Sequence, residues 1–325
     1  MSAGQVPTAL MLGGVYCMAE IIRVCYSAYG AANAIMALGV ASGYFAEEGL
    51  DVIMEEIPRS GDAVKKLIAG TTEFVVVGAA TILSAAYAGH YPVIVMNIEA
   101  ENVFAIIGAR SISSPEDLRG KTIAITGHGE QDNVMIHRAL SEWGIDPNRE
   151  VIFVEYGSRG DTWKAIVSGE AAAMCATIPQ PILARANGLP VLKDFAELHE
   201  PLQAGCIGTT RAYIDDKPDN VHRFLAGQLR AVRLFQSDFE AALPHLITLS
   251  KLDDVEVLRE THRLFGEAAE DYIPNPVASA NVLRNLSETL GKPLDVDLEK
   301  IIDPKFAIAL EGRAPYSTAQ IAPGA

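Results

Sequence analysis

A chain of 325 residues has room for two domains at the usual ~150 residues each and buries roughly three quarters of its unfolded surface, so it needs no disulfide or metal staple. Hydrophobic residues make up 49% and charged residues 21%, a globular balance that excludes a disordered chain. Lys and Arg number 26 against 41 Asp and Glu, a net charge of −15 without a basic run, which argues against a nucleic-acid partner.

The first apolar stretch, Thr8–Val15, is too short to span a bilayer, and Met1–Pro7 carries no Lys or Arg for an export signal. Residues 1–17 are therefore expected to be an extension outside the fold, with no membrane span in the chain. Strand-like and helix-like runs then alternate. Ile21–Tyr26 reads as a strand, Ala31–Glu48 as one helix, Leu50–Ile57 as a strand and Asp62–Ile68 as a helix stopped at Gly70. Glu73–Val77 is a strand, Thr81–Ala88 a helix stopped at Gly89, and Val93–Ile98 and Val103–Ile107 are two further strands. This alternation predicts parallel sheets with helical crossovers. A new strand at Lys121–Ile125 follows the linking segment from Ser113, so the chain is expected to cross into a second lobe near Gly108 and to return near Ala204–Thr209. From Asp219 onward the pattern is helical: Asn220–Phe239, Ala241–Ser250, Val255–Phe265, Ala278–Leu290 and Asp297–Ile302.

The most informative feature is an internal repeat. VIMEEIPRSGDAVKKLIAG (Val52–Gly70) and VIFVEYGSRGDTWKAIVSG (Val151–Gly169) lie 99 residues apart and agree at seven of 19 positions. The same offset sets Ser27 against Thr126, each at the end of a strand and the start of a Gly-containing loop. A single pair is too few for a solenoid and predicts two similar α/β lobes, residues 18–108 with 205–325 and residues 109–204.

Several segments carry a resemblance. YFAEEGLDV (Tyr44–Val52), GTTEFVVVGAATILSA (Gly70–Ala85), SPEDLRGKTIAI (Ser114–Ile125), GIDP (Gly144–Pro147) and SGEAAAMCATIPQP (Ser168–Pro181) together resemble the type II solute-binding proteins of ABC importers. The branch they resemble is that for aliphatic sulfonates, taurine, nitrate and thiamine pyrimidine precursors. The resemblance covers roughly residues 20 to 290. It implies an α/β fold of two Rossmann-like lobes (periplasmic binding protein type II) joined by two crossing strands, with a helical C-terminal tail, a small-molecule ligand in the cleft and an ABC permease as partner. It implies a periplasmic location, whereas the missing export signal points to the cytoplasm, and the compartment stays open.

In open α/β sheets a ligand sits beyond the carboxyl ends of the strands, where helix N-termini converge. The candidate ligand-binding residues are therefore Ser27, Tyr29, Ser60, Gly61, Gly78, Ala79, Thr81, Thr126, Gly127, His128 and Gln131. Pro179 joins them because family members place a residue there against the ligand. The hydroxyls among them serve equally as helix N-caps, and Asp62 and Asp161 sit where capping carboxylates sit. The loop TGHGEQDN (Thr126–Asn133) departs from the sulfonate pattern, because Glu130 and Asp132 would repel an anion. Either these carboxylates point outward or the ligand is neutral, zwitterionic or cationic.

The alternative is an intracellular lyase or hydrolase on the same fold, with His128 and Glu130 as an acid/base pair. A sulfinate-cleaving relative needs Cys in the loop after the first strand, where this chain has Ala28 and Tyr29. Cys17, Cys25, Cys175 and Cys206 show no CxxC spacing, and the seven His show no HxxxH or HxH, so no metal is expected. GxGxxG and GxxxxGK[ST] are also missing, and no cofactor is expected.

Overall fold

The structure, a computed structural model, describes residues 9–12, 15–27, 31–268 and 271–312. Strands β1 (Ala9–Leu12) and β2 (Val15–Met18) pair only with each other, as a two-stranded antiparallel sheet apart from the rest.

Two five-stranded sheets carry the fold. The first contains β3 (Glu20–Tyr26), β4 (Leu50–Glu56), β5 (Phe74–Val77), β6 (Pro92–Glu101) and β12 (Pro201–Thr210), in the order β4-β3-β5-β12-β6. The second contains β7 (Ala105–Gly108), β8 (Thr122–Ile125), β9 (Ile152–Glu155), β10 (Ala173–Ala176) and β11 (Val191–Asp194), in the order β11-β7-β10-β8-β9. Read from the opposite edge, the second order repeats the first. The repeat continues far beyond the segment in which it is visible as identity: Phe74–Val77 shifted by 99 residues is Ala173–Ala176, the whole of β10. Below, a lobe means one of these sheets with the helices packed on it.

Three sequence expectations change. The sheets are mixed rather than parallel, because β12 runs antiparallel to β5 and β6, and β7 antiparallel to β10 and β11. Each of these strands is supplied from across the gap between the lobes, so it cannot follow the βαβ direction of its neighbours. Sheet membership also moves the first crossing upstream of Gly108: β6 ends in the first sheet at Glu101, and Ala105–Gly108 already belongs to the second. Finally, the helix expected over Ala31–Glu48 is two, α1 (Ala31–Ala41) and α2 (Tyr44–Glu47), broken where Gly43 adopts φ 75°. That left-handed conformation ends a helix readily in glycine, which has no Cβ to clash.

In the first lobe α3 (Ser60–Ile68) and α4 (Ala79–Tyr87) cover one face, and α1, α8 (Arg211–Asp216), α9 (Pro218–Ser237), α10 (Phe239–Ser250) and α11 (Val255–Ala268) cover the other or its rim. In the second, α5 (Gln131–Glu142) lies on one face, and α6 (Arg159–Ser168) and α7 (Gln180–Ala186) lie on the other. The apolar core is continuous between the lobes: Ile82 and Leu83 of α4, Val134 and Ile136 of α5, and Val282 and Leu286 of α12 (Pro276–Leu290) share one cluster. Helix α12 packs against α4, α5 and β12 and so touches both lobes. Helices α13 (Leu298–Ile301) and α14 (Lys305–Glu311) close the described chain. No helix among the described residues is long and apolar enough to cross a membrane.

Candidate functional site

The carboxyl ends of the parallel strands of both sheets face one another across a cavity of about 100 Å³. The first lobe contributes Ser27 after β3, Arg59 and Ser60 after β4, and Gly78 after β5. The second contributes Thr126 after β8, Arg159 after β9, and Thr177 and Ile178 after β10. Glu99, Phe104, Ala204 and Gly205, from the segments that cross between the sheets, complete the wall. A second hollow of about 550 Å³ shares Pro58, Arg59 and Arg159 with the cavity.

Of the residues singled out in the sequence, Ser27, Ser60, Gly78, Thr126 and Gln131 line the cavity. Ser27 and Ser60 Oγ atoms lie 2.6 Å apart, so the two hydroxyls share a hydrogen bond within the first lobe. Thr126 donates to Asp132 through both its backbone N–H and its hydroxyl, each at 2.7 Å. Gly78 is a position of close approach, where a Cβ would stand 3.1 Å from Gln131 Cβ of the other lobe and 3.3 Å from the Ala204 carbonyl. Tyr29 lies outside the described residues.

Gly61, Ala79, Thr81, Gly127, His128 and Pro179 do not line the cavity. Gly61 and Thr81 nevertheless hold a wall residue, donating to Glu130 Oε1 at 3.0 Å and Oε2 at 3.1 Å. Ala79 is buried in the core, and Gly127 and Pro179 are buried. Pro179 follows two residues that do reach the cavity, Thr177 and Ile178. His128 is exposed, its backbone N–H donates to Glu155, and its ring faces Phe153 edge-on. An acid/base pair of His128 with Glu130 in the cavity is thus not what the geometry offers. Glycine on both sides of His128 leaves its loop free to turn the ring outward. The two motif aspartates act on the surface: Asp161 exchanges hydrogen bonds with Ser158, and Asp62 pairs with Lys65.

Sequence reasoning singled out Glu130 and Asp132, which both line the cavity, and did not name Glu99, Arg59 and Arg159. Glu99 is 8% exposed near the carboxyl end of β6, and its carboxylate has no hydrogen-bond partner among the described residues. Burial pushes it up from 4.5 to about 7, against the opposing charge of Arg159. Gly205, opposite it on β12, makes the room: a Cβ there would meet Glu99 Oε2 at 2.9 Å. Asp132 is raised by burial and lowered by the Thr126 hydrogen bonds and the Arg159 charge. Glu130 is raised by burial and by the nearby Asp132, with the Gly61 N–H opposing. Arg159 Nη1 donates to Thr177 Oγ1 at 2.8 Å, and Arg59 is engaged across the lobes by Glu155. Gln131 presents a buried Nε2 donor with no partner, its Oε1 being taken by the Ala80 N–H at 3.0 Å. The repeat holds the only sequence signal for Arg159, because it reverses Arg59-Ser60 into Ser158-Arg159. A Glu toward the end of an apolar strand, as Glu99 is, carries no such signal.

The cavity therefore combines three carboxyls, one of them without a partner, with two arginines, Arg59 paired to Glu155 and Arg159 bonded to Thr177, an unpaired amide donor and several hydroxyls. It can accept hydrogen bonds from a small polar molecule more readily than it can neutralise an anion. Among the described residues no group of His, Cys, Asp and Glu is arranged to hold a metal ion.

Solved structures share the fold. The periplasmic nitrate-binding protein NrtA from Synechocystis PCC 6803 superposes with a TM-score of 0.74 at 12% identity, over 94% of this chain and 91% of its own. The periplasmic aliphatic sulphonate-binding protein SsuA from Escherichia coli gives 0.68 at 20% identity, over 88% and 92%. The ligand-binding component of an ABC-type import system from Staphylococcus aureus gives 0.73 at 10% identity, over 88% and 97%. No curated relative matches the sequence significantly. Residues 32–242, which include every cavity residue except Ser27, match the family described as NMT1/THI5 like, and the chain belongs to that family.

Proposed function

We propose that the protein is the substrate-binding component of an ABC-type importer and captures a small polar organic molecule that is neutral, zwitterionic or cationic, with N–H or O–H groups to donate. The observation that carries this reading is the Glu99 carboxyl, buried in a cavity between two lobes with no partner among the described residues. A ligand N–H or O–H would satisfy it, and Gln131 Nε2 would meet an acceptor on the same molecule. In this reading the lobes, residues 19–101 with 201–312 and residues 105–198, swing about the two crossing segments. A ligand that touches both then adds to the stability of the closed state. The protein works outside the cytoplasm and hands its ligand to a membrane permease.

A thermal-shift screen of sulfonates, carboxylates, pyrimidines and amines tests the ligand class. A tight binder at 100 times its dissociation constant adds about 2.7 kcal/mol. Stabilisation is expected from donor-bearing nitrogen compounds, and a screen in which only sulfonates or nitrate raise the melting temperature overturns the reading. Sequencing the mature N-terminus from a fractionated host tests the location: a full-length cytoplasmic product counts against transport.

A further inference from the structure

Helices α3 and α4 begin without help from their own N-cap side chains, Arg59 and Gly78. Free N–H groups at a helix start carry partial positive charge and need acceptors. Here the acceptors come from the opposite lobe. Glu130 Oε1 takes the Gly61 N–H at 3.0 Å, Glu130 Oε2 takes the Thr81 hydroxyl at 3.1 Å, and Gln131 Oε1 takes the Ala80 N–H at 3.0 Å. The corresponding helix of the second lobe, α6, is capped locally by Ser158, which accepts from the Asp161 N–H at 3.1 Å. The fit around Glu130 is close, since a Cβ on Gly127 would stand 3.4 Å from Glu130 Cγ and 3.2 Å from Arg59 Nη2. Two helix starts that converge on one point form a seat for an oxyanion. In this protein a tethered carboxylate already sits there.

We infer that Glu130 is the specificity-determining residue of the cleft: it fills the oxyanion seat from the opposite lobe, so it denies that seat to sulfonate, sulfate or nitrate and latches the lobes together before any ligand arrives. The exclusion of anions rests on the cleft being a ligand site as proposed above, whereas the latch rests only on the contacts between the lobes. A ligand suited to this cleft leaves Glu130 in place and binds beside it, against Glu99 and Gln131.

The test compares wild type with Glu130→Ala and Glu130→Gln, using inorganic sulfate and methanesulfonate as probes in calorimetry and small-angle scattering. Wild type is expected to show no saturable binding of either anion. Glu130→Ala is expected to bind sulfate at least about tenfold more tightly than wild type. It is also expected to have a larger radius of gyration without sulfate and to contract when sulfate is added. Glu130→Gln keeps an acceptor oxygen without the charge and is expected to fall between the two. A folded Glu130→Ala with the radius and sulfate affinity of wild type overturns the inference, as does saturable sulfate binding by wild type. Should Glu130→Ala fail to fold, Glu130→Gln decides by the same two readings, and identity with wild type in both overturns it. Amines and pyrimidines that fail to bind wild type count against the proposed ligand class. That failure leaves the latch standing if the variants open and gain sulfate.

Discussion

Phe74 and Ala173 occupy equivalent places, 99 residues apart, as the first residues of β5 and β10, and both are fully buried. Their surroundings differ in what was added to each lobe. Phe74 stacks at 4.1 Å on Phe224 of α9, which stacks at 5.3 Å on Phe45 of α2, so the C-terminal helices meet the first sheet through a layer of aromatic rings. Ala173 lies under α5, with no ring in its place. The edge strands diverge in the same way. Ile53 on β4 is half-buried, whereas its counterpart Ile152 on β9 is 57% exposed. A duplicated strand–helix unit thus keeps its backbone pattern while its side chains follow whatever packs on it. The first lobe is the anchored one and the second the more open.

The largest expected effect comes from breaking the aromatic layer. Phe224→Ala is expected to lose about 3 to 5 kcal/mol. Both tryptophans, Trp143 and Trp163, lie in the second lobe, so their emission follows that lobe while circular dichroism follows the whole chain. If the anchored lobe is weakened alone, the dichroism transition moves to lower denaturant before the emission transition does. Coincident shifts would show that the lobes unfold as one unit.

The next effect concerns buried titrating groups, which act in opposite directions in the two lobes. Burial pushes folded Glu99 up to about 7 from the 4.5 of a solvent-exposed glutamate, so the folded state holds the proton longer than the unfolded chain. Its burial therefore costs nothing below 4.5, and stability falls as pH rises through the window from 4.5 to 7. Glu99→Gln is expected to remove that fall and to gain up to about 3 kcal/mol at pH above the window, read from urea midpoints across pH. His137 of the second lobe, stacked at 4.7 Å on Phe153, is pushed down from 6.5 to about 4 by burial and then by His128. There the unfolded chain binds the proton first, so stability is lost as pH falls from 6.5 toward 4, and His137→Gln is expected to flatten this acid limb.

A smaller effect tests the room left for Glu99. Gly205→Ala would place a methyl 2.9 Å from Glu99 Oε2, and the carboxyl must swing away. The expected cost is about 1 kcal/mol of stability, with about a tenfold loss of ligand affinity by calorimetry. The smallest effect separates the two edges: Ile152→Ala is expected to stay within about 0.5 kcal/mol in thermal melts, and Ile53→Ala to lose about 1 kcal/mol. Equal losses at the two positions would erase the contrast between the lobes.

Much of the architecture was legible in the chain because strand–helix units leave a local pattern. The offset of Val52–Gly70 from Val151–Gly169 marked the duplication, and the cavity loops Ser27, Ser60, Gly78 and Thr126 followed from strand ends meeting helix starts. The outward turn of His128 was not legible, because one rotation about a flexible loop decides it. Glu99 was hidden for a different reason: whether a carboxyl in a strand is buried depends on Gly205, more than a hundred residues away.

From its residues alone this protein is an acidic, twice-repeated α/β chain with a helical tail, since periodicity, turn residues and net charge are properties of neighbours along the backbone. Folding decided the rest: which sheet takes Ala105–Gly108, which carboxyls share the cavity, and that Glu130 reaches across to cap helices of the other lobe. Each of these depends on groups distant in sequence meeting within hydrogen-bond reach, and no local pattern encodes that distance.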